Sequence, residues 1–346
     1  MKKRLSNYDL IRVISCFFVI LIHIKGKPFS EPVKIAYTTV FYISNAMFYM
    51  LSGTFNLGNT FDSTEDYKNF YKKRFVSILF PFMLFSFLQS IWNMYLEMGA
   101  VNWKSYWMYA YTEFMDTNGS KATWFMYPLM GFILSAPFLS KMLHAMTDRE
   151  CKILLIAAVI WNSIRIYCTL DLGVNFAFSG WILESWILYF VCGYIYNRIF
   201  NDRNKIILYI MGAAGYLITV AGRYFLSDHF VNATDLSPAF LFTCLAVYYF
   251  LVKNIRIRNR FIGKTVSFVA EHTFIIYLFH AQVMRHVVPR ISDYDTTTFS
   301  GFILEGICIF FFSFIGALIF RNLILRPLQF LLKKLPFLRP SVTKAP

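Results

Sequence analysis

The chain has 346 residues, 57% of them hydrophobic and only 15% charged, against roughly 25% charged in an ordinary soluble domain. That balance excludes a soluble enzyme as the main body and excludes disorder, and it assigns most of the chain to a bilayer. The formal net charge of +15 then reads as basic loops beside anionic lipid, and not as a nucleic-acid surface.

A bilayer core takes about 20 apolar residues per helix. In chain order, ten segments qualify, at about 8–25, 33–56, 75–96, 123–143, 152–170, 180–199, 205–225, 236–252, 266–287 and 300–324. The first is followed by Lys25-Gly26-Lys27-Pro28 without a small-x-small cleavage site, so it is a retained helix and not a signal peptide. Between the third and fourth segments lies the longest outer connection, 97–122, with Trp103, Tyr106, Trp107, Glu113 and Asp116. It is either an interfacial aromatic segment or a cover over a substrate site. The fifth segment is interrupted by Arg165, and the eighth is short. No linker, repeat or appended soluble domain follows. The expected organisation is one polytopic domain over 1–330 and a short basic cytoplasmic tail over 331–346.

Placing the N-terminus in the cytoplasm puts most of the 34 Lys and Arg residues on the cytoplasmic side. The expected fold is therefore an all-α integral membrane protein of about ten transmembrane helices, both termini cytoplasmic, in a cell membrane. The six cysteines, Cys16, Cys151, Cys168, Cys192, Cys244 and Cys308, are scattered singly. They read as small core residues, with neither a zinc site nor a disulfide framework, and no metal is expected.

Ionisable residues inside spans are costly, and Asp9, Arg12, His23, Glu184, His280 and Glu305 are such residues. Arg12 and His23 are eleven residues apart. On a helix they share one face within about 20° and are separated by roughly 16 Å along the axis. A fixed cation and a titratable base on one stripe suit catalysis; Arg12 pairing with Asp9 or snorkelling, and His23 marking the interface, is the blander alternative. Helix rise brings His280 of the ninth segment to a height similar to His23. Glu184 and Glu305 enter from the same outer side. His144, His229, His272 and His286 fall at span ends or in loops and are expected at the surface.

Tyr8-Asp9-Leu10-Ile11-Arg12 followed by Phe17 to His23 resembles the opening of the membrane acyltransferase-3 family, with its Arg-x10-His spacing. Phe48-Tyr49-Met50-Leu51-Ser52-Gly53, Arg74 to Pro81, Trp124-Phe125, Gly193-Tyr194 and Ile276-Tyr277-Leu278-Phe279-His280 resemble later elements of that family in the same order. The resemblance implies transfer of an acyl group, commonly acetyl from acetyl-coenzyme A, to a hydroxyl of a surface or lipid-linked carbohydrate. It implies that His23 is the general base, aided by His280 and Glu184, and that Arg12 and Tyr277 serve the acyl-coenzyme A donor. Some relatives carry an added esterase-like or racemase domain, and neither is here. The alternatives are a small-molecule permease and a non-catalytic partner of a glycan-synthesis complex.

Overall fold

The structure, a computed structural model, describes residues 6–115, 123–166, 183–225 and 237–335. Among them every regular element is helical. The elements are α1 (Ser6–His23), α2 (Glu31–Leu57), α3 (Thr64–Arg74), α4 (Phe80–Met98), α5 (Tyr106–Met115), α6 (Met126–Ala145) and α7 (Asp148–Ile166). They continue as α8 (Trp186–Ile199), α9 (Lys205–Phe225), α10 (Pro238–Asn254), α11 (Arg260–Ala270), α12 (Thr273–Gln282), α13 (Phe299–Ile319) and α14 (Arg326–Lys334). Short π-helical stretches join α3 to α4 and α13 to α14 without a break, which makes two long helices, Thr64–Met98 and Phe299–Lys334.

Among the described residues, four helices are long and apolar enough to cross a membrane: Thr64–Met98, Met126–Ala145, Lys205–Phe225 and Phe299–Lys334. Helix α10 is apolar but shorter. The described parts of the remaining expected spans also carry helix. Helix α1 places Asp9 and Arg12 within 18 residues. Helix α8 has 14 residues. The ninth segment is broken at Glu271 and His272 into α11 and α12, where His272 Nδ1 bonds the Phe268 carbonyl at 2.8 Å.

The chain forms two compact units, Met1–Asn59 with Phe138–Phe314, and Thr60–Pro137 with Ile315–Pro346. In the first, α1 is tied to three other helices by polar side chains. Asn7 Nδ2 donates to the Val252 carbonyl of α10 at 2.7 Å, and Ser267 Oγ of α11 donates to Asp9 Oδ2 at 2.7 Å. The Cys16 thiol points to the Thr273 carbonyl of α12 at 3.6 Å. Each bond satisfies a group that apolar surroundings would otherwise leave costly. Helices α2 and α8 touch through Gly53 and Gly193, where an added Cβ would strike the carbonyl oxygens of Phe190 and Met50 respectively. The Ser52-Gly53 pair thus has a packing explanation of the small-residue kind.

In the second unit α5 folds back on α4 around buried Met94, Tyr106 and Ala110. Tyr106 Oη donates to the Phe87 carbonyl at 2.6 Å, and Asn93 Nδ2 to Glu113 Oε2 at 2.8 Å. Trp103 and Trp107 remain exposed, as an interfacial aromatic segment requires. Elsewhere exposed aliphatic side chains recur at helical spacing, as Ile153, Ile156, Ile160 and Ile164 do on α7. A ridge of this kind suits hydrocarbon as the outer solvent. Cys16, Cys151, Cys192 and Cys244 are buried and Cys308 half-buried, all as free thiols, and Cys168 lies outside the described residues.

Candidate active site

Helix α1 ends at His23, and the chain then turns so that Lys27 reaches back. Its Nζ donates to the carbonyls of Ile22 at 3.2 Å and Ile24 at 2.9 Å, capping orphan acceptors of the last turn. His23 is exposed, whereas His280 on α12 is at 0% exposure. The two rings nonetheless meet, with centroids 5.3 Å apart and planes inclined by 38°. His280 Nδ1 is hydrogen-bonded to the Tyr277 carbonyl. A carbonyl only accepts, so this bond puts the hydrogen on Nδ1 and leaves Nε2 as an acceptor. His280 Nε2 has no hydrogen-bond partner among the described residues. The site is thus an open imidazole backed by a buried one whose tautomer is fixed from behind. The Tyr277 ring lies 5.4 Å from that of His280, about one helical turn before it on α12.

Two cations, Lys27 and Arg285, lie within electrostatic reach of His23. Burial, with Lys34 and Arg223 nearby, holds the Lys27 ammonium below the usual lysine range. Composition counts Lys27 merely as one more outer cation. The backward turn that aims it at α1 is set by Gly26, at φ 68°, which nothing in the charge pattern signals.

Toward the start of α1, Arg12 Nη1 pairs with Asp9 Oδ1 at 2.8 Å, and its guanidinium lies 5.0 Å from the centre of the Phe55 ring. Asp9 is 1% exposed, and Ser267 also donates to it. Thr54, next to Phe55, donates to the Gly193 carbonyl at 2.5 Å and thereby accepts from Tyr248 Oη at 2.6 Å. It lines a cavity of about 290 Å³ together with Tyr194, Tyr196 and Asn197. Arginine, tyrosine and threonine groups therefore gather one helix length away from the histidines.

Glu184 stands just before α8 and accepts from Trp161 Nε1 of α7 at 2.8 Å. The histidine pair itself is built by α1 and α12. Glu305 is half-buried on α13, next to Gly306, which packs against Leu21 of α1 and Ile24 just beyond it. One expectation is corrected. His272 is not a surface residue but 2% exposed, with its ring against Phe268 and Phe314, because the break between α11 and α12 turns it inward. His144 is exposed and His286 half-buried, and His229 lies outside the described residues. Among the described residues no group of three His, Cys, Asp or Glu side chains is placed to hold a metal ion.

No curated protein and no solved structure matches the chain. Residues 5–322 match the family described as the acyltransferase domain, from before Arg12 to beyond His280, and the chain therefore belongs to the acyltransferase-3 family.

Proposed function

We propose that this membrane acyltransferase moves an acyl group, acetyl in the simplest case, from cytoplasmic acyl-coenzyme A to a hydroxyl of a carbohydrate on the outer side. In this reading the chain is a multi-pass protein of the bacterial cytoplasmic membrane with ten crossings and both ends inside. Residues 1–330 act as one catalytic domain. The observation that carries the reading is the histidine pair at one end of α1, with Arg12 on the same stripe about 16 Å away.

Coenzyme A is anionic and its pantetheine arm is long and thin. Arg12, aimed by Asp9, would hold a phosphate or pantetheine carbonyl, since a guanidinium binds such oxygens with fixed geometry. The thioester then reaches toward His23. The acceptor oxygen attacks the thioester carbonyl, His23 takes the hydroxyl proton, the C–S bond breaks, and that proton goes to the departing thiolate. His280 orients His23 from behind, Tyr277 serves the donor together with Arg12, and Glu184 assists from just before α8. The products are an O-acyl sugar and free coenzyme A.

The test uses purified full-length protein in lipid nanodiscs with acetyl-coenzyme A and a surface-glycan fraction. Free thiol release coupled to ester formation on the glycan is expected, and loss of both in His23→Ala. Counterflow of a small solute in proteoliposomes, with no thiol release from any acyl-coenzyme A, would replace this reading by the permease.

A further inference from the structure

Helix α9 carries a second constellation. Tyr209, Tyr216 and Arg223 follow one another at seven-residue intervals, so they lie on one stripe, about 10 Å between neighbours. Between the two tyrosines runs a groove of about 600 Å³. Gly212 and Ala213 form its floor, and Val40 and Ile43 of α2 and Ala246 and Phe250 of α10 form its walls. The polar atoms around it are engaged in bonds between helices. Tyr216 Oη donates to the Ala36 carbonyl at 3.0 Å, and Thr243 Oγ1 to the Gly212 carbonyl at 3.0 Å. Tyr209 Oη accepts from Asn254 Nδ2 at 3.0 Å. What remains facing the groove is apolar, and hydrocarbon is its natural filling.

The two ends of the stripe differ in charge. At one end Lys205 is paired with Asp202 at 3.1 Å. At the other, Arg223 Nη1 donates to the Ile35 carbonyl and to the Thr38 and Thr39 hydroxyls at 3.1, 3.2 and 2.7 Å, with its guanidinium over Tyr42. These bonds fix the cation on α2. Lys27 lies within electrostatic reach of both Arg223 and Lys34, the latter paired with Glu31, and it also faces His23. A cationic mouth thus joins the end of an apolar groove to the open histidine.

We propose that the groove seats the single hydrocarbon chain of a lipid-phosphate-linked carbohydrate, with the phosphate at Lys27, Lys34 and Arg223 and the sugar at His23. One groove takes one chain, whereas a two-chain phospholipid leaves its second chain outside. A sugar phosphate also carries hydroxyls past Lys27 toward His23, which a bare headgroup does not. The sugar's fate rests on the acyl-transfer reading above; the binding does not.

The experiment measures binding of farnesyl phosphate to the full chain in phosphatidylcholine nanodiscs without any acyl donor, by native mass spectrometry. Farnesol, inorganic phosphate and dioleoyl phosphatidylglycerol are the comparison ligands. Ala213→Trp fills the floor of the groove, and Lys27→Gln with Lys34→Gln removes mobile charge from its mouth. Each change is expected to weaken farnesyl phosphate about tenfold or more, the loss that goes with one charge-assisted hydrogen bond in the case of the charges. Farnesol and inorganic phosphate are expected to bind at least tenfold more weakly. Val40→Trp, on the opposite wall, replaces Ala213→Trp if that variant fails to fold. Unchanged binding in folded variants overturns the site. So does farnesol binding as tightly as its phosphate, or phosphatidylglycerol displacing the probe as well as farnesyl phosphate itself does. Loss of farnesyl phosphate binding with acyl transfer to the glycan unchanged overturns the groove's role in presenting the sugar to His23, while farnesyl phosphate binding without thiol release in the wild type rejects only the acyl-transfer reading.

Discussion

At the scale of single residues, His23 and His280 make different demands on experiment. His23→Ala is expected to lower acyl transfer by about 10²–10⁴-fold, the usual cost of losing a general base, with donor binding kept. His286→Ala is the control that should stay near wild type. A base works unprotonated, so the rate should fall on the acid side of the histidine range near 6.5, and His23→Ala should lose that limb. His280→Ala should cost less and should move the midpoint of the limb, because its ring lies against that of His23; a loss of rate with no shift would reduce His280 to packing. Arg12→Ala should raise KM for acyl-coenzyme A by about tenfold or more, with Arg12→Lys rescuing only part because the planar fork is lost. Unchanged donor dependence in folded Arg12→Ala would leave only its structural pair with Asp9. Of this site, the Arg12–His23 stripe and the equal heights of the two histidines follow from helix rise. The acceptor state of His280 Nε2 does not, since it depends on which carbonyl lies beside Nδ1.

Among the elements, the contact between α2 and α8 is the most sharply limited by atomic size. Gly53 and Gly193 each face a carbonyl oxygen of the other helix with no room for a Cβ. Gly53→Val should therefore force the two helices apart, costing at least about 1–3 kcal/mol, as overpacking does. It should lower the melting temperature in detergent, and Ser52→Ala should not. Equal melting of Gly53→Val and wild type would mean that the two helices can part freely. The partner helix of Gly53 is not legible in the sequence, because a small residue announces proximity without naming the neighbour. The break between α11 and α12 was illegible for a related reason. The segment 266–287 reads as one apolar run, while a turn at Glu271 and His272, closed by Thr273 Oγ1 on the Ala270 carbonyl at 2.9 Å, re-aims the second half. That turn buries His272 and directs His280 at α1.

For the whole molecule the decisive question is orientation, because it fixes which side supplies the donor. Charge asymmetry predicts that Lys73 and Arg258 face the cytoplasm and that Lys104 faces outward. Single cysteines at these positions, in a background lacking the six native cysteines, should react with an impermeant thiol reagent in intact cells only at 104. Labelling at 258 and not at 104 would invert donor and acceptor sides together.

Composition alone pointed to hydrocarbon as the surroundings of much of the chain, because 57% hydrophobic and 15% charged residues leave little polar surface for water. The spacing of Arg12 and His23 determined that one helix carries both, because a helix has a fixed rise and turn. The tertiary structure decided the rest. It brought His280 against His23, held Arg12 on Asp9 and Phe55, turned Lys27 back onto α1, and opened an apolar groove leading to Arg223. These features depend on which faces of separate helices meet, and that is set by side-chain volume and by the pairing of buried polar groups across helices, neither of which local periodicity contains.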